Sequence, residues 1–202
     1  MISVQNMGLC INKETVLEHI NIEAGEGEIW GVVGRNGSGK TMLMKCICGF
    51  VRPTEGKVFI DGKQIGRDVD FPSGVGMMIE VPGFIPYYSG YKNLKLLADI
   101  SGNIGRREIV DSMHTVGLDP KLKRSVRKYS LGMRQRLGIA QAVMENPSIL
   151  ILDEPFNGLD ADGVKAIRAL LLQYKEEGKC ILIASHISED IEILCDHVIN
   201  LT

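Results

Sequence analysis

The chain has 202 residues, of which 45% are hydrophobic and 24% are charged, and its formal net charge at pH 7 is −2. This length and composition suit one or two compact units with a hydrophobic core, and the small net charge excludes a global attraction to nucleic acid or acidic lipid. No apolar run approaches the roughly 18 residues of a bilayer span, and the N-terminus lacks the pattern of a secretory signal. The five scattered cysteines predict reduced thiols of a cytosolic protein rather than disulfides or metal ligands.

The first 80 residues are rich in predicted strands. Apolar and polar residues alternate over Leu17–Glu23, which is typical of a half-buried antiparallel strand. The segment Lys57–Ile60 runs into Asp61-Gly62, a strong hairpin turn signal, and the short apolar segment Val75–Glu80 indicates a further strand. These segments predict an antiparallel β-subdomain near the N-terminus.

A glycine-rich run joins a predicted buried strand, Glu28–Val33, to a predicted helix, Met42–Cys48. The run is Gly34-Arg35-Asn36-Gly37-Ser38-Gly39-Lys40-Thr41, which fits the phosphate-binding pattern G-x-x-x-x-G-K-[ST] without a mismatch. Glycines let backbone N–H groups converge on phosphate oxygens, and the helix start adds the positive end of its dipole. Lys40 is expected to reach the β- and γ-phosphates, and Thr41 to bind Mg²⁺. The alternative, a glycine-rich turn that binds nothing, would leave Lys40 and Thr41 unexplained, so the run predicts a nucleoside triphosphate site.

The middle and the end of the chain differ in their patterns. Residues 82–147 open with prolines and glycines and continue with helical periodicity, which predicts a helical subdomain. After Pro147, the continuous apolar runs Ile149–Leu152 and Ile181–Ala184 are typical of parallel strands covered on both faces, and an amphipathic helix lies between them.

The predicted fold class is therefore α/β. We expect a P-loop NTPase core with a mixed parallel sheet, an N-terminal antiparallel β-subdomain and an inserted helical subdomain. One domain should cover residues 1–202, with 1–81 and 148–202 forming the core and 82–147 the helical subdomain.

Two carboxylates, Asp153 and Glu154, directly follow the apolar run Ile149–Leu152. Open α/β sheets bind ligands at the carboxyl ends of their strands, so this pair should face the phosphate site. Asp153 is placed to help hold Mg²⁺, mostly through water, and Glu154 to orient and deprotonate an attacking water. The alternative is a pair of surface acids at a strand end.

The segment Tyr129–Arg136 predicts a helix capped by Ser130, whose free N–H groups could face an anion, although an ordinary capped helix has the same pattern. The segment closes a longer stretch, Lys121–Arg136, which holds seven basic residues and no acid. We weigh nucleic-acid binding there against a solvated or phosphate-facing surface. Because only Tyr129 offers stacking and no nucleic-acid-binding module is recognisable, the second interpretation is favoured.

Together these residues resemble the nucleotide-binding subunit of an ABC transporter over essentially the whole chain. Gly34–Thr41 resembles its Walker A motif, Ser148–Glu154 its Walker B motif with the catalytic glutamate, and Asn157–Asp160 its D-loop. His186 matches the switch histidine, and Tyr129–Arg136 resembles the signature motif that separates ABC proteins from other P-loop NTPases. His186 alone would be read as a surface or capping histidine, but the order and spacing of the whole set favour the functional interpretation.

The resemblance implies an ATPase whose catalytic residues are Glu154, His186 and Lys40, with ATP and Mg²⁺ as cofactors. It implies metal ligation by Thr41, Glu80 and Asp153. The nucleotide-binding residues that it implies are Gly34, Arg35, Asn36, Gly37, Ser38, Gly39, Lys40, Thr41, Met42, Ile11, Val16, Ser130, Gly132 and Asp160.

The chain departs from the family pattern at three places. The usual L-S-G-G-Q appears as Tyr129–Met133, which keeps Ser130 and Gly132 but loses the final amide. Glu80 replaces a glutamine, and its carboxylate could either bring a full charge to the metal or point to the membrane subunit. Glu80 and the changed signature motif together resemble the subfamily that exports bacitracin and lantibiotic-type peptides for self-protection. Ile11 replaces the aromatic that stacks on adenine, which predicts a loose nucleotide preference. Relatives usually add another hairpin after residue 202, so the chain is expected to be a short member or a shortened piece.

The resemblance also implies partners. Two copies should meet head to tail, with each ATP between Gly34–Thr41 of one copy and Ser130–Gly132 of the other. A separate transmembrane permease should contact the region Glu80–Tyr91, which would place this peripheral subunit at the cytoplasmic face of the membrane. The expected function is ATP hydrolysis that powers export of an antimicrobial peptide or a similar amphiphile.

Two other classes share parts of this pattern. A soluble ABC ATPase acting on nucleic acid or ribosomes resembles a long coiled-coil or a tandem protein, but about 90 residues between Thr41 and Ser130 are too few for a long coiled coil. A single signature stretch argues against the tandem type. A small-molecule kinase would have no use for Ser130–Gly132 or His186.

Overall fold

Two sheets organise the computed structural model, which describes residues 1–80 and 83–201. The strands are β1 (Ile2–Ile11), β2 (Glu14–Ala24), β3 (Ile29–Gly34), β4 (Glu55–Ile60), β5 (Lys63–Gln64), β6 (Val75–Met78), β7 (Ile149–Asp153), β8 (Cys180–Ala184) and β9 (His197–Leu201). The first sheet is antiparallel with strand order β2-β1-β4-β5. The second is parallel with order β6-β7-β8-β3-β9. This confirms the predicted combination of an antiparallel β-subdomain and a parallel core sheet.

Helices cover the parallel sheet and form a separate layer near its β6 edge. They are α1 (Lys40–Ile47), α2 (Gly90–Ser101), α3 (Arg106–Thr115), α4 (Leu131–Val143), α5 (Ala161–Glu176) and α6 (Ser188–Leu194), with a 3₁₀ turn at Val126–Lys128. Helix α4 packs on β6 and β7, α3 packs on α4, and α2 packs on α3. The Ser130 hydroxyl accepts the Met133 N–H at 3.1 Å, so the predicted cap of α4 is confirmed. Within the described part of the chain, no helix combines the length and the apolar character that a bilayer span requires.

Strand β7 supplies two different hydrophobic cores. Leu150 and Leu152 face the core that contains residues of α2 to α5, whereas Ile149 and Ile151 face the core shared with α1 and the antiparallel sheet. Alternate side chains of a strand point to opposite faces of a sheet, and here both faces are covered. That double burial explains why β7 is a continuous apolar run, and it confirms the predicted parallel strand.

Strand β1 does not show the alternation of apolar and polar residues from which strands are predicted. Its register with β2 shifts between Val4 and Met7, where Asn6 adopts a φ of +44°. A bulge of this kind adds a residue and breaks the period of two, so the sequence pattern gives no clear strand here. Strand β9 and helix α6 were also not among the predicted elements.

Several predicted boundaries were wrong by one to three residues, and two of them are explained by the backbone. Strand β6 ends at Met78 rather than Glu80, because Glu80 has a φ of +59°, which cannot continue a strand. Helix α1 begins at Lys40 rather than Met42, after Gly39 as its N-cap. The boundary expected between residues 81 and 82 lies outside the described residues, and the division into core and helical subdomain stays a prediction.

Candidate functional site

The loop between β3 and α1 depends on its glycines. Gly37 and Gly39 have φ values of +86° and +93°, which favour glycine. A Cβ on Gly34 would lie 2.2 Å from the Ser38 hydroxyl oxygen, which is buried without a hydrogen-bond partner among the described residues. Because α1 starts where the loop ends, its first N–H groups have no intrahelical partner and are free to bind an anion.

Lys40 lies inside this loop rather than in solvent. Its side chain is only 7% exposed, and its ammonium donates to the carbonyl oxygens of Gly34 at 2.7 Å and Arg35 at 3.3 Å. The nearest carboxylate oxygen, Oε1 of Glu154, is 3.7 Å away. A buried ammonium needs compensation, and here backbone dipoles and one carboxylate supply it. The loop therefore holds a positive charge where phosphate oxygens would sit.

The start of α1 meets the end of β7 through one short hydrogen bond. The Thr41 hydroxyl donates to Oδ2 of Asp153 at 2.6 Å, and the Asp153 side chain is largely buried. Among residues 1–80 and 83–201, no group of three or more His, Cys, Asp and Glu side chains could hold a metal alone. Mg²⁺ typically takes one or two protein oxygens and completes its shell with phosphate and water, so this hydroxyl and carboxylate suit it.

Glu154 is held from several sides. Its backbone has a φ of +49°, a strained value that costs about 1–3 kcal/mol and is common at functional sites. Its carboxylate oxygen Oε2 lies 2.8 Å from Nδ1 of His186. Its N–H donates to the Ala184 carbonyl at 2.9 Å, and the Gln135 amide donates to its carbonyl at 2.8 Å. Gln135 lies within the Tyr129–Arg136 segment but was not among the predicted site residues.

Glu80 forms an ion pair that was not predicted from the sequence. Its carboxylate oxygen Oε1 lies 2.6 Å from the ammonium of Lys45 on α1. The Glu80 side chain is 59% exposed, whereas that of Lys45 is 27% exposed. Nothing in the local sequence around either residue signals the pair, because 35 positions separate them.

Most of the predicted site residues meet at one cavity of about 800 Å³. Among the nucleotide-binding and catalytic predictions, its lining includes Val16, Asn36, Gly37, Gly39, Lys40, Thr41, Met42 and Glu154. The two other predicted metal ligands, Glu80 and Asp153, line it too. Four residues that were not among the predicted site residues also line it, namely Leu131, Gln135, Asn157 and Gly158. The cavity therefore joins the phosphate loop, the strand-end carboxylates and the start of α4.

The remaining predicted residues are not in the lining of this cavity. Ile11 is exposed at the end of β1, and Ser130 is exposed at the cap of α4. A Cβ on Gly132 would lie 2.6 Å from the Gly158 carbonyl oxygen, and Asp160 caps α5. The other four, Gly34, Arg35, Ser38 and His186, line an adjoining cavity of about 760 Å³.

A buried ion pair fixes the loop that carries His186. The guanidinium of Arg168 lies 2.5 Å from Oδ1 of Asp190, whose side chain is 1% exposed. The Ser185 hydroxyl donates to the other oxygen of Asp190 at 3.2 Å and accepts the Ile187 N–H at 3.1 Å. Hydrogen bonds to Glu189 and Asp190 raise the pKa of Arg168, so this anchor keeps its charge. The residues on both sides of His186 are therefore tied to α5 and α6.

The described cysteines are free thiols. Burial raises the pKa of Cys46 to about 11 and that of Cys48 to about 12. Both thiols therefore stay protonated near neutral pH, where a thiolate would be needed for attack or metal binding.

Known proteins resemble this chain along nearly its whole length. Residues 17–157 match the family described as ABC transporter. The chain is 46% identical over 97% of its length to the ABC transporter ATP-binding protein YybJ of Bacillus subtilis (strain 168), of which it covers 90%. It is 39% identical over 97% of its length to the bacitracin transport ATP-binding protein BcrA of Enterococcus faecalis, of which it covers 64%. It is 36% identical over 98% of its length to the lantibiotic transport ATP-binding protein SrtF of Streptococcus pyogenes, of which it covers 85%.

Solved structures show the same fold. The structure of an ATP binding subunit of an ABC transporter superposes with a TM-score of 0.88 at 26% identity, covering 100% of this chain and 85% of that one. The dimeric structure of MJ0796, a bacterial ABC transporter cassette, gives a TM-score of 0.87 at 24% identity, with 100% and 94% covered. The predicted fold class is confirmed. The chain therefore belongs to the ABC transporter family, as an ATP-binding subunit that hydrolyses ATP to power transport.

Proposed function

We propose that the cavity binds ATP together with Mg²⁺, and that Lys40, Thr41 and Asp153 hold the phosphates and the metal. The observation that carries this proposal is the 2.6 Å contact between the Thr41 hydroxyl and the Asp153 carboxylate, where α1 begins and β7 ends. The metal would neutralise charge on the β- and γ-phosphates. Lys40 supplies the fixed positive charge beside them, since its ammonium already lies within the loop.

Glu154 is the proposed general base. It lines the cavity, and its carboxylate is directed by His186 on one oxygen and by the more distant Lys40 ammonium on the other. A carboxylate so held can orient a water molecule and take its proton during attack on the γ-phosphate. His186 is then a residue that positions the base and stabilises its charge.

Replacing Thr41 tests the metal part of this proposal. Thr41→Val keeps the shape of the side chain and removes its hydroxyl, whereas Thr41→Ser keeps the hydroxyl. We expect the valine variant to lose most of the Mg²⁺-dependent gain in ATP affinity and the serine variant to retain it. Calorimetric titration of ATP with Mg²⁺ and with EDTA measures this gain. An undiminished gain in the valine variant would remove Thr41 from the metal site.

Nucleotide choice is expected to be loose. No aromatic side chain lines the cavity in the described part of the chain, and the apolar neighbours of the phosphate loop there are Val16 and Met42. Without a π face for the base, binding should rest mainly on the phosphates and the metal. We expect GTP to bind within about tenfold of ATP, a difference of about 1.4 kcal/mol. Competition titrations check this, and a hundredfold preference for ATP would show that an aromatic group contacts the base.

We further propose that the chain acts as a pair of copies with a membrane partner. Two copies would meet head to tail, with ATP between Gly34–Thr41 of one and Ser130–Gly132 of the other. The dimeric MJ0796 structure supports this arrangement. A separate permease would place the subunit at the cytoplasmic face of the membrane, and BcrA and SrtF suggest a peptide antibiotic or similar amphiphile as cargo.

The relatives give no support to the alternative of a soluble ABC ATPase acting on nucleic acid or ribosomes. YybJ, BcrA and SrtF all carry names of transporter components. Co-purification of this chain with the product of a neighbouring gene that encodes about six membrane spans would support the permease partner. Co-purification with ribosomes instead would support the alternative.

A further inference from the structure

The three carboxylates of the nucleotide cavity have different partners. Asp153 accepts a hydrogen bond from Thr41, and Glu154 lies beside His186 and Lys40. These partners, Thr41, His186 and Lys40, belong to the phosphate loop or to the proposed catalytic residues. Glu80 instead pairs with Lys45, one helical turn after Thr41 on α1 and outside the cavity lining. The positive charge that balances Glu80 therefore comes from beyond the proposed site.

This compensation matters because the cavity is rich in negative charge. Among the described residues, its lining holds Glu80, Asp153 and Glu154 but only one ammonium, that of Lys40. A triphosphate entering such a space meets repulsion from each carboxylate that has no counter-charge. Lys45 removes that repulsion at Glu80 without occupying space in the cavity.

The same ion pair can be broken at little cost. Both side chains reach solvent, with 59% of Glu80 and 27% of Lys45 exposed, so water screens their attraction. A divalent cation carries twice the charge of an ammonium and prefers carboxylate oxygen, so it can displace Lys45.

We propose that Lys45 is a positioning residue that holds the Glu80 carboxylate at the cavity and yields it to the incoming divalent cation. Metal binding is then an exchange, in which Mg²⁺ with its nucleotide replaces an ammonium as the partner of Glu80. This inference rests on the proposed binding of Mg²⁺ and ATP, and it adds a residue outside the site that sets how strongly the metal controls nucleotide affinity.

Lys45→Met tests the exchange, because methionine keeps the length of the side chain and removes its charge. In EDTA, where Glu80 would stand uncompensated, we expect ATP affinity to fall by about three- to tenfold. The Mg²⁺ concentration that gives half of the maximal gain in ATP affinity should fall by a similar factor, since no ammonium competes with the metal for Glu80. Glu80→Gln should do the opposite: ATP binding in EDTA improves and the dependence on Mg²⁺ becomes shallower.

Two further variants separate this role from a purely structural one. In a Glu80→Gln background, Lys45→Met should have no further effect, because the two changes act through one contact. The double variant Lys45→Glu, Glu80→Lys restores an ion pair but places the ammonium where the metal ligand should be. Its ATP affinity should therefore depend on Mg²⁺ concentration as weakly as that of Glu80→Gln. A wild-type curve for the exchanged pair would show that only the pairing matters, and it would overturn the proposal.

A matched control comes from α2. Lys95 pairs with Asp99 one turn away on the same helix, outside the lining of the cavity. Lys95→Met should leave the Mg²⁺ curve of ATP binding unchanged. Coincident curves for Lys45→Met and wild type, with melting temperatures showing both folded, would refute the exchange. Failure of wild type to bind ATP at any Mg²⁺ concentration would instead refute the proposed function.

Discussion

Glu154→Gln should lower ATP turnover by about 10²–10⁴-fold while leaving ATP affinity close to that of wild type. Glutamine has the shape of glutamate, and its side chain can still contact Nδ1 of His186, 2.8 Å from the carboxylate in the wild type. It cannot take a proton from water, because an amide has almost no basicity. The backbone bonds that hold residue 154 to Ala184 and Gln135 do not involve the side chain, so the local fold should persist.

The same variant should accumulate the ATP-bound dimer, because in the proposed head-to-tail dimer the γ-phosphate would join the two copies, and the variant removes that phosphate slowly. Size-exclusion chromatography with ATP and Mg²⁺ measures the dimer, and phosphate release measures turnover. Glu145→Gln is the matched control, since Glu145 bonds Asn103 on the surface and does not line the cavity. A monomeric Glu154→Gln protein with wild-type turnover would contradict both the base and the dimer.

The chemistry of the site was predictable where it lies within one segment. The phosphate loop combines a strand, a glycine pattern and a helix start within about 15 residues, and the structure has that order from β3 to α1. The pair Asp153 and Glu154 was predictable for a related reason. A strand buried on both faces leaves its polar residues at its end, where the ligand edge of a parallel sheet lies.

Contacts between distant segments were predictable only through the family resemblance or not at all. His186 reaches Glu154 because β7 and β8 are neighbours in the sheet, and periodicity alone does not reveal strand order. The Lys45–Glu80 pair depends on a left-handed residue after β6, which the apolar pattern of Val75–Glu80 conceals. Ile11, predicted to contact the base, is absent from the cavity lining, so that contact stays a prediction.

Lys40→Ala should weaken ATP binding by at least about tenfold, and up to about a hundredfold, since hydrogen bonds to charged groups contribute about 1.5–3 kcal/mol. The ammonium now bonds to the carbonyl oxygens of Gly34 and Arg35, at 2.7 and 3.3 Å, and these contacts hold it where the β- and γ-phosphates would lie. Alanine removes that charge and leaves the glycines that shape the loop.

The pattern of the loss identifies which phosphates Lys40 contacts. ATP offers it both the β- and γ-phosphates, whereas ADP offers only the β-phosphate, so the affinity for ADP should fall less than that for ATP. Lys165→Ala, at an exposed position of α5, controls for the general loss of one positive charge and should bind both nucleotides as wild type does. Calorimetric titration with ATP and with ADP measures both affinities. Because Lys40 also lies 3.7 Å from Glu154, its loss should lower turnover of bound ATP as well. Unchanged affinity for both nucleotides would place Lys40 outside the phosphate site.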